Sequence, residues 1–212
     1  MKTNEKYIDM RATMYPSFGK LTTKLKIDPY STVYGYVFGT DDVTFPNGQK
    51  ATAGQYFCYP NFSQDHKWIV SNTEFVSFVR LGYLGQFTIG GPVEDSGRLC
   101  YIDGCSDSLL IYPPRLGDPS LNALFFPEGI EQSYHIHPSI RLGFIAKGSG
   151  YCDLNNKRIS LQAGNLFCIE EREYHRFVTE IDQMVVMAYH PDGDWGPTDE
   201  NHTMLNRTYL TK

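Results

Sequence analysis

The sequence predicts an all-β protein. Three observations carry this. Tyr, Phe, Val, Ile and Thr gather in short runs that suit a pleated, half-buried surface. Glycines, prolines and Asn or Asp pairs punctuate those runs. No long stretch repeats its apolar residues at a helical period. The 212 residues suffice for one large or two small domains with a real core.

Taken in order, the strand-like runs are Tyr34-Gly-Tyr-Val-Phe, Tyr56-Phe-Cys-Tyr and Phe75-Val-Ser-Phe-Val in the first half. Asn122-Ala-Leu-Phe-Phe, Leu142-Gly-Phe-Ile-Ala, Asn165-Leu-Phe-Cys-Ile and Met184-Val-Val-Met-Ala-Tyr follow in the second. Asn47-Gly48 and Asn155-Asn156 lie between runs and read as hairpin turns. The stretch from Tyr101 to Pro119 is crowded with turn formers but too rich in Leu, Ile and Tyr for a disordered linker. It reads as a packed connection into the strand at Asn122. The first fifteen or so residues are candidates for a strand added to a neighbouring subunit.

The bulk properties exclude some roles. A net charge of −5 without a basic patch argues against a nucleic-acid partner. No apolar run reaches membrane-spanning length. The charged start Met1-Lys-Thr-Asn-Glu-Lys lacks the apolar core of a signal peptide, so a cytoplasmic protein is expected. Cysteines 58, 100, 105, 152 and 168 form no CxxC pair and read as buried reduced thiols. Cys152 and Cys168 are the candidates for lining a pocket.

The sharpest chemical signal is His135-Ile-His137, with His175 following. On a strand, residues 135 and 137 point to one face. Two adjacent imidazoles and a third from a neighbouring strand offer three nitrogen ligands to a transition metal and leave coordination positions open. A catalytic metal needs such positions. Arg141 shares the parity of the two histidines and should point inward. Its guanidinium cannot bind a metal, stays charged, and needs a negative partner when buried. That partner is either a substrate carboxylate or Glu170, Glu171 or Glu173. Tyr134 and Tyr174 have the opposite parity and should face outward. Glu170 and Arg172 belong on a rim.

The spacing around these residues resembles the RmlC-like cupin superfamily over roughly residues 120–190. Gly129, five residues, His135-x-His137, three residues, Arg141, six residues and Gly148 match its first motif at every position except Arg141, where the family carries Glu. Gly164 and His175 fall on the second motif, with Glu170, Arg172 and Thr179 replacing its Pro, Gly and Asn. The resemblance implies a double-stranded β-helix, or jelly-roll barrel, with His135, His137 and His175 as metal ligands. Arg141 in place of Glu removes the usual carboxylate ligand and favours a three-histidine site.

An internal repeat suggests that the barrel is duplicated. Lys26-Ile-Asp28-Pro29, Gly39 and His66 align with His135-Ile-His137-Pro138, Gly148 and His175 at an offset of 109 (135 − 26). Ala53-Gly54 and Phe57-Cys58 align with Ala163-Gly164 and Phe167-Cys168 at 110 (163 − 53). The expected organisation is a degenerate, metal-free barrel over 1–95, a metal-binding barrel over 96–190 and an ordered extension over 191–212. In the extension, Trp195, His190 just before it, and His202 are expected to pack or hydrogen-bond near the barrel, with ligation by either histidine as the alternative.

The resemblance covers enzymes and binding modules alike. Three imidazoles without a carboxylate resemble the iron sites of thiol dioxygenases and diketone-cleaving dioxygenases. The leading expectation is therefore a non-haem Fe(II) dioxygenase acting on a small acidic or chelating molecule, with Arg141 orienting it. The alternatives are a lyase or isomerase using Zn, Mn or Ni as a Lewis acid, and a small-molecule-binding protein without turnover. The partners expected are a small-molecule substrate and one divalent transition metal, without nucleic acid or membrane and with room for a homodimer.

Overall fold

The computed structural model describes all residues except 4, 5, 194, 195, 201, 203, 205–207, 210 and 212. In chain order the strands are β1 (Lys2–Thr3), β2 (Tyr7–Met10), β3 (Ser17–Ile27), β4 (Thr32–Tyr36), β5 (Val43–Thr44), β6 (Lys50–Ala51), β7 (Tyr56–Pro60), β8 (Lys67–Arg80) and β9 (Thr88–Gly90). The second half adds β10 (Leu99–Cys100), β11 (Ser106–Ile111), β12 (Ser120–Phe126), β13 (Arg141–Leu154), β14 (Lys157–Gln162), β15 (Leu166–Ile169), β16 (His175–Val178) and β17 (Met184–His190). A single short 3₁₀ turn, Ile102–Gly104, is the one helical element among the described residues. None of them forms a helix long and apolar enough to cross a membrane.

The strands form two antiparallel sheets. One runs β2-β3-β8-β4-β7-β9, with β5 and β6 at its side; the other runs β1-β15-β13-β17-β12-β11-β10, with β14 and β16 attached to β13. The long β13 serves two faces. Its first half pairs with β15 and β17, its second half with β14 and β16. It bends where the register shifts between Ile145 and Lys147. Gly148 makes the bend passable: its φ is +74°, and a Cβ there would lie 1.7 Å from the Gln183 carbonyl oxygen.

The same pairings recur in the two halves. The ladders β3·β8, β4·β8 and β4·β7 have counterparts in β12·β17, β13·β17 and β13·β15. The turns match in detail. Val37 N–H donates to Gln55 O and Gly54 N–H to Val37 O, as Ile145 N–H does to Asn165 O and Gly164 N–H to Ile145 O. Thr52 N–H is capped by Gln55 Oε1 and Gln162 N–H by Asn165 Oδ1, each at 2.9 Å.

Side-chain alternation sorts the apolar residues into three cores. Phe18, Phe45, Phe57, Phe75 and Ile69 fill the inside of the first sheet. Phe126, Phe167, Phe177 and Val186 line the inside of the second. Between the sheets, Tyr34, Val76 and Phe78 pack on Leu121, Phe144, Met187 and Tyr189. Strand β17 shows the rule: Val186 and Ala188 face inward, while Val185, Met187 and Tyr189 face the other sheet. With both faces covered, such strands read as continuous apolar runs.

Three expectations change. The segment from Tyr101 to Pro119 contains a strand of the sheet, β11, and not just a connection. Residues 2–3 pair with β15 of their own chain and not with a neighbouring subunit. Cys152 and Cys168 lie in the cores and line neither zone of the cavity beside the histidines, and burial pushes both thiols up to about 12.

Candidate functional site

His135, His137 and His175 converge on the inside of the second sheet. Their nitrogen ligand atoms all lie within 4.8 Å of one another, the one such metal-suited group among the described residues. His175 opens β16 and is fully buried; His135 faces it across an isolated antiparallel bridge. The histidine pair was expected on a strand. Residues 131–137 instead pair only through isolated bridges, at Glu131–Val178 and His135–His175. The reason is local. Gln132 inserts its side chain into the ladder, where its Oε1 accepts from Phe177 N–H, and Pro138 ends the donors. Arg172 N–H donates to the His137 carbonyl, so the turn before β16 also holds this segment.

The donor set suits a metal. His135 Nδ1 meets Ser133 O at 2.9 Å and His175 Nδ1 meets Glu173 O at 2.7 Å. A carbonyl only accepts, so each Nδ1 carries a proton, which in the neutral ring leaves the Nε2 lone pair for a metal. His175 Nε2 is buried and takes no hydrogen bond from the described residues. Burial, then the Arg141 charge and the other imidazoles, pulls His137 down to about 3. Burial likewise pulls His175 down to about 4. Both rings are therefore neutral at ordinary pH, the form that binds metals.

The cavity beside them has two zones. The inner zone is walled by Leu124, Phe126, Phe167, Ile169 and Phe177 around the three histidines, and amounts to about 550 Å³ including its open mouth. Gly143 also lines it; a Cβ there would meet the Phe167 ring at 2.1 Å. The outer zone mixes Arg141, His190, Asp107 and Asp192 with apolar walls from Leu99, Leu109, Tyr112 and Pro113. In the first sheet the equivalent interior is filled by rings, with Phe45 against Phe57 at 4.9 Å and against Tyr59 at 5.4 Å. There His66 Nδ1 meets Asp28 Oδ1 at 3.2 Å, half-exposed, and Lys26 pairs across to Trp68.

Arg141 points inward as its parity requires, and is buried. Its partner differs from the glutamates expected. Asp192, just beyond β17, lies 3.3 Å from Nη1, which also donates to Ser139 Oγ and to the Ile140 carbonyl at 3.0 Å. Residues 191–193 thus pack at the cavity mouth, where Gly193 exchanges backbone hydrogen bonds with Asp118 and Gly117. Trp195 lies outside the described residues. His190 ends β17 and lines the cavity, and burial, then Arg141 and His137, holds it well below the usual histidine range. His202 is exposed and apart from both zones. Tyr134 and Tyr174 face outward and stack at 4.8 Å, with the Arg176 guanidinium over Tyr134. Glu170 and Arg172 are exposed in the turn before β16, outside the lining of either zone.

Sequence reasoning missed Gln132, Tyr101 and Asp107. Asp107 comes from β11, and its Oδ2 accepts from Asn122 Nδ2 at 2.7 Å. Burial raises its pKa, while that hydrogen bond lowers it. No motif spacing links Asp107 to the histidines, because the sheet alone brings β11 to them.

Comparison with known proteins agrees with this architecture. The family model described as an AraC-like ligand binding domain matches residues 127–195. Acireductone dioxygenase of Tuber melanosporum (strain Mel28) is 25% identical over 163 residues, 71% of this chain and 91% of that protein. Among solved structures, a cupin 2 conserved barrel domain protein from Leptotrichia buccalis superimposes with a TM-score of 0.60 at 12% identity, covering 89% of this chain and 88% of that one. A salicylate 1,2-dioxygenase from Pseudaminobacter salicylatoxidans gives 0.60 at 10% identity, covering 85% of this chain and 73% of that one. The chain has the all-β jelly-roll fold of the cupins.

Proposed function

We propose that the protein is a metal-dependent cupin dioxygenase acting on a small, metal-chelating organic molecule. His135, His137 and His175 are its metal ligands, and Fe(II) is the favoured metal. One observation carries the reading: the ligand atoms of three imidazoles converge within 4.8 Å, two of the rings held by backbone carbonyls. The similarity to acireductone dioxygenase supports the reaction class.

When bound, a ferrous ion with three imidazole ligands and open positions supplies oxygen activation beside a chelated substrate. The chain does the rest. Ser133 O and Glu173 O fix the ligand rings, so the site is organised before metal arrives. The apolar inner wall of Leu124, Phe126, Phe167, Ile169 and Phe177 excludes water and strengthens every charge interaction inside. Arg141 and His190 stand at the mouth and orient the substrate's outer end.

We further propose that residues 1–95 form a metal-free barrel, 96–190 the working barrel and 191–212 an extension over its mouth. The repeated pairings and turns support this, although β1 crosses to the second sheet. The ring filling of the first interior and the Asp28–His66 pair support the metal-free reading.

The test is metal analysis of protein prepared without oxygen, alongside His135→Ala, His137→Ala and His175→Ala. One equivalent of iron in the wild type and less than a tenth in each variant is the expected result. Full occupancy in the triple variant would sink the assignment. A second reading has its own support. The ligand-binding family model spans the site, and a sensor would bind ligand with no oxygen consumption. Oxygen uptake by the iron-loaded protein across candidate chelators separates the two.

A further inference from the structure

The charges lining the cavity are unequally satisfied. Arg141 already meets Asp192, Ser139 and the Ile140 carbonyl. Those contacts all run to Nη1, and Asp192 already balances the guanidinium charge, so an anionic substrate would compete with Asp192 for it. Asp107 is in the opposite state. It lines both zones of the cavity, and among the described residues it forms no ion pair and takes its hydrogen bond from a neutral amide, Asn122. That bond occupies Oδ2 and leaves Oδ1 for another donor. Its neighbour across the ladder, Leu124, lies on the inner wall, so β11 carries the carboxylate at the border between the inner chamber and the mouth that holds Arg141 and His190. A half-buried carboxylate with one neutral partner favours a ligand that brings a proton.

We infer that Asp107 is the substrate's proton acceptor, and that the substrate is a neutral chelator carrying an O–H group, such as a hydroxy-carbonyl or a hydroxamate-like molecule, and not a dicarboxylate. The inference rests on the metal-centre reading above. The step balances simply. The substrate O–H bond breaks, the proton passes to the Asp107 carboxylate, and the electron pair stays on the substrate oxygen, which becomes an anionic chelating donor. No oxidant enters this step. The cavity then holds the same net charge before and after, which an apolar-walled site tolerates better than an added anion. Carrying a proton suits a carboxyl whose surroundings disfavour its charged form.

Two small bidentate probes separate this from a generic metal site. Acetohydroxamate loses a proton when it chelates; oxalate has none to lose. Anaerobic Fe(II)-loaded protein is titrated with each by calorimetry in two buffers of different ionisation heat, which counts protons released. The wild type is expected to release almost none on binding acetohydroxamate, because Asp107 keeps it. Asp107→Asn should release about one per site and bind acetohydroxamate on the order of tenfold to a hundredfold more weakly, the range for a lost hydrogen bond to a charged group. Its oxalate affinity should be unchanged or tighter. Asp107→Ser is measured in parallel, so that misfolding of one variant does not decide the result. Iron content is measured first. No iron in the wild type overturns both the metal centre and this inference. Full iron with equal acetohydroxamate affinity and proton release in wild type and variants overturns the role of Asp107 alone.

Discussion

Arg141 and Asp192 decide how the cavity presents its charge. Both side chains are largely buried, with relative exposures of 10% and 13%. Removing one partner of such a pair leaves the other charged and poorly solvated. Asp192→Asn is therefore expected to cost about 1–3 kcal/mol, the range for losing a charged hydrogen bond, read as a shift in denaturant midpoint. The same variant should bind oxalate more tightly when iron-loaded, since Arg141 loses its competing anion. Stability and oxalate affinity that both stay at wild-type values would show that the pair does not govern the mouth. At this scale the sequence was informative about the histidines, whose spacing is itself a motif. It was silent about Asp192, since the glutamates expected to meet Arg141 lie closer to the second motif than the residue that does.

At the scale of elements, Asp153 ties three strands together. It sits on β13 and accepts from Arg158 of β14, at 2.6 and 2.8 Å, and from Arg176 of β16, at 3.2 Å. Strand β16 begins with His175, so this network steadies the strand that carries a candidate ligand. The Arg158 hydrogen bonds, outweighing burial, hold the Asp153 carboxyl below its ordinary value. The sign follows. A carboxylate depressed in the fold binds fewer protons there than in the unfolded chain, so its stabilisation is fully present above the unfolded pKa, about 3.9, and is lost progressively as pH falls through the lower folded pKa. Asp153→Asn should lose about 1–3 kcal/mol near pH 7 and a smaller amount near pH 3. Denaturation at the two pH values checks this; an equal difference at both would show that the ion pairs are not its source. The turn residues of these elements were legible. Asn47-Gly48 and Asn155-Asn156 do join β5 to β6 and β13 to β14, because turn chemistry is local. Strand β11 was not, since its run of Ser, Asp and Leu resembles a loop until β12 pairs with it.

Across the whole molecule, the core between the sheets makes the halves one structural unit. Tyr189 is fully buried there, with its ring 5.5 Å from Phe78 and 5.2 Å from Tyr34 of the other sheet. Its hydroxyl meets Ser17 at 3.4 Å. Tyr189→Ala should cost about 3–5 kcal/mol, as for a large aromatic removed from a core. Unfolding should stay a single transition, because each half loses its apolar cover when the other opens. Two separate transitions in the wild type would mean that the halves are stable alone.

The sequence by itself determined the fold class, the three histidines, the inward parity of Arg141 and the recurrence of Ala53-Gly54 as Ala163-Gly164. All of these are properties of short spacing: strand alternation, turn stereochemistry and a motif contained within about fifty residues. The tertiary structure decided what meets what. It set Asp192 against Arg141, brought Asp107 and Tyr101 from β11 and the segment before it to the histidines, and filled the first interior with phenylalanine rings while leaving the second open. It also held the histidine pair by isolated bridges where a strand was expected. Those outcomes depend on sheet closure and on packing between residues tens of positions apart, and no local pattern encodes which distant side chain arrives at a given wall.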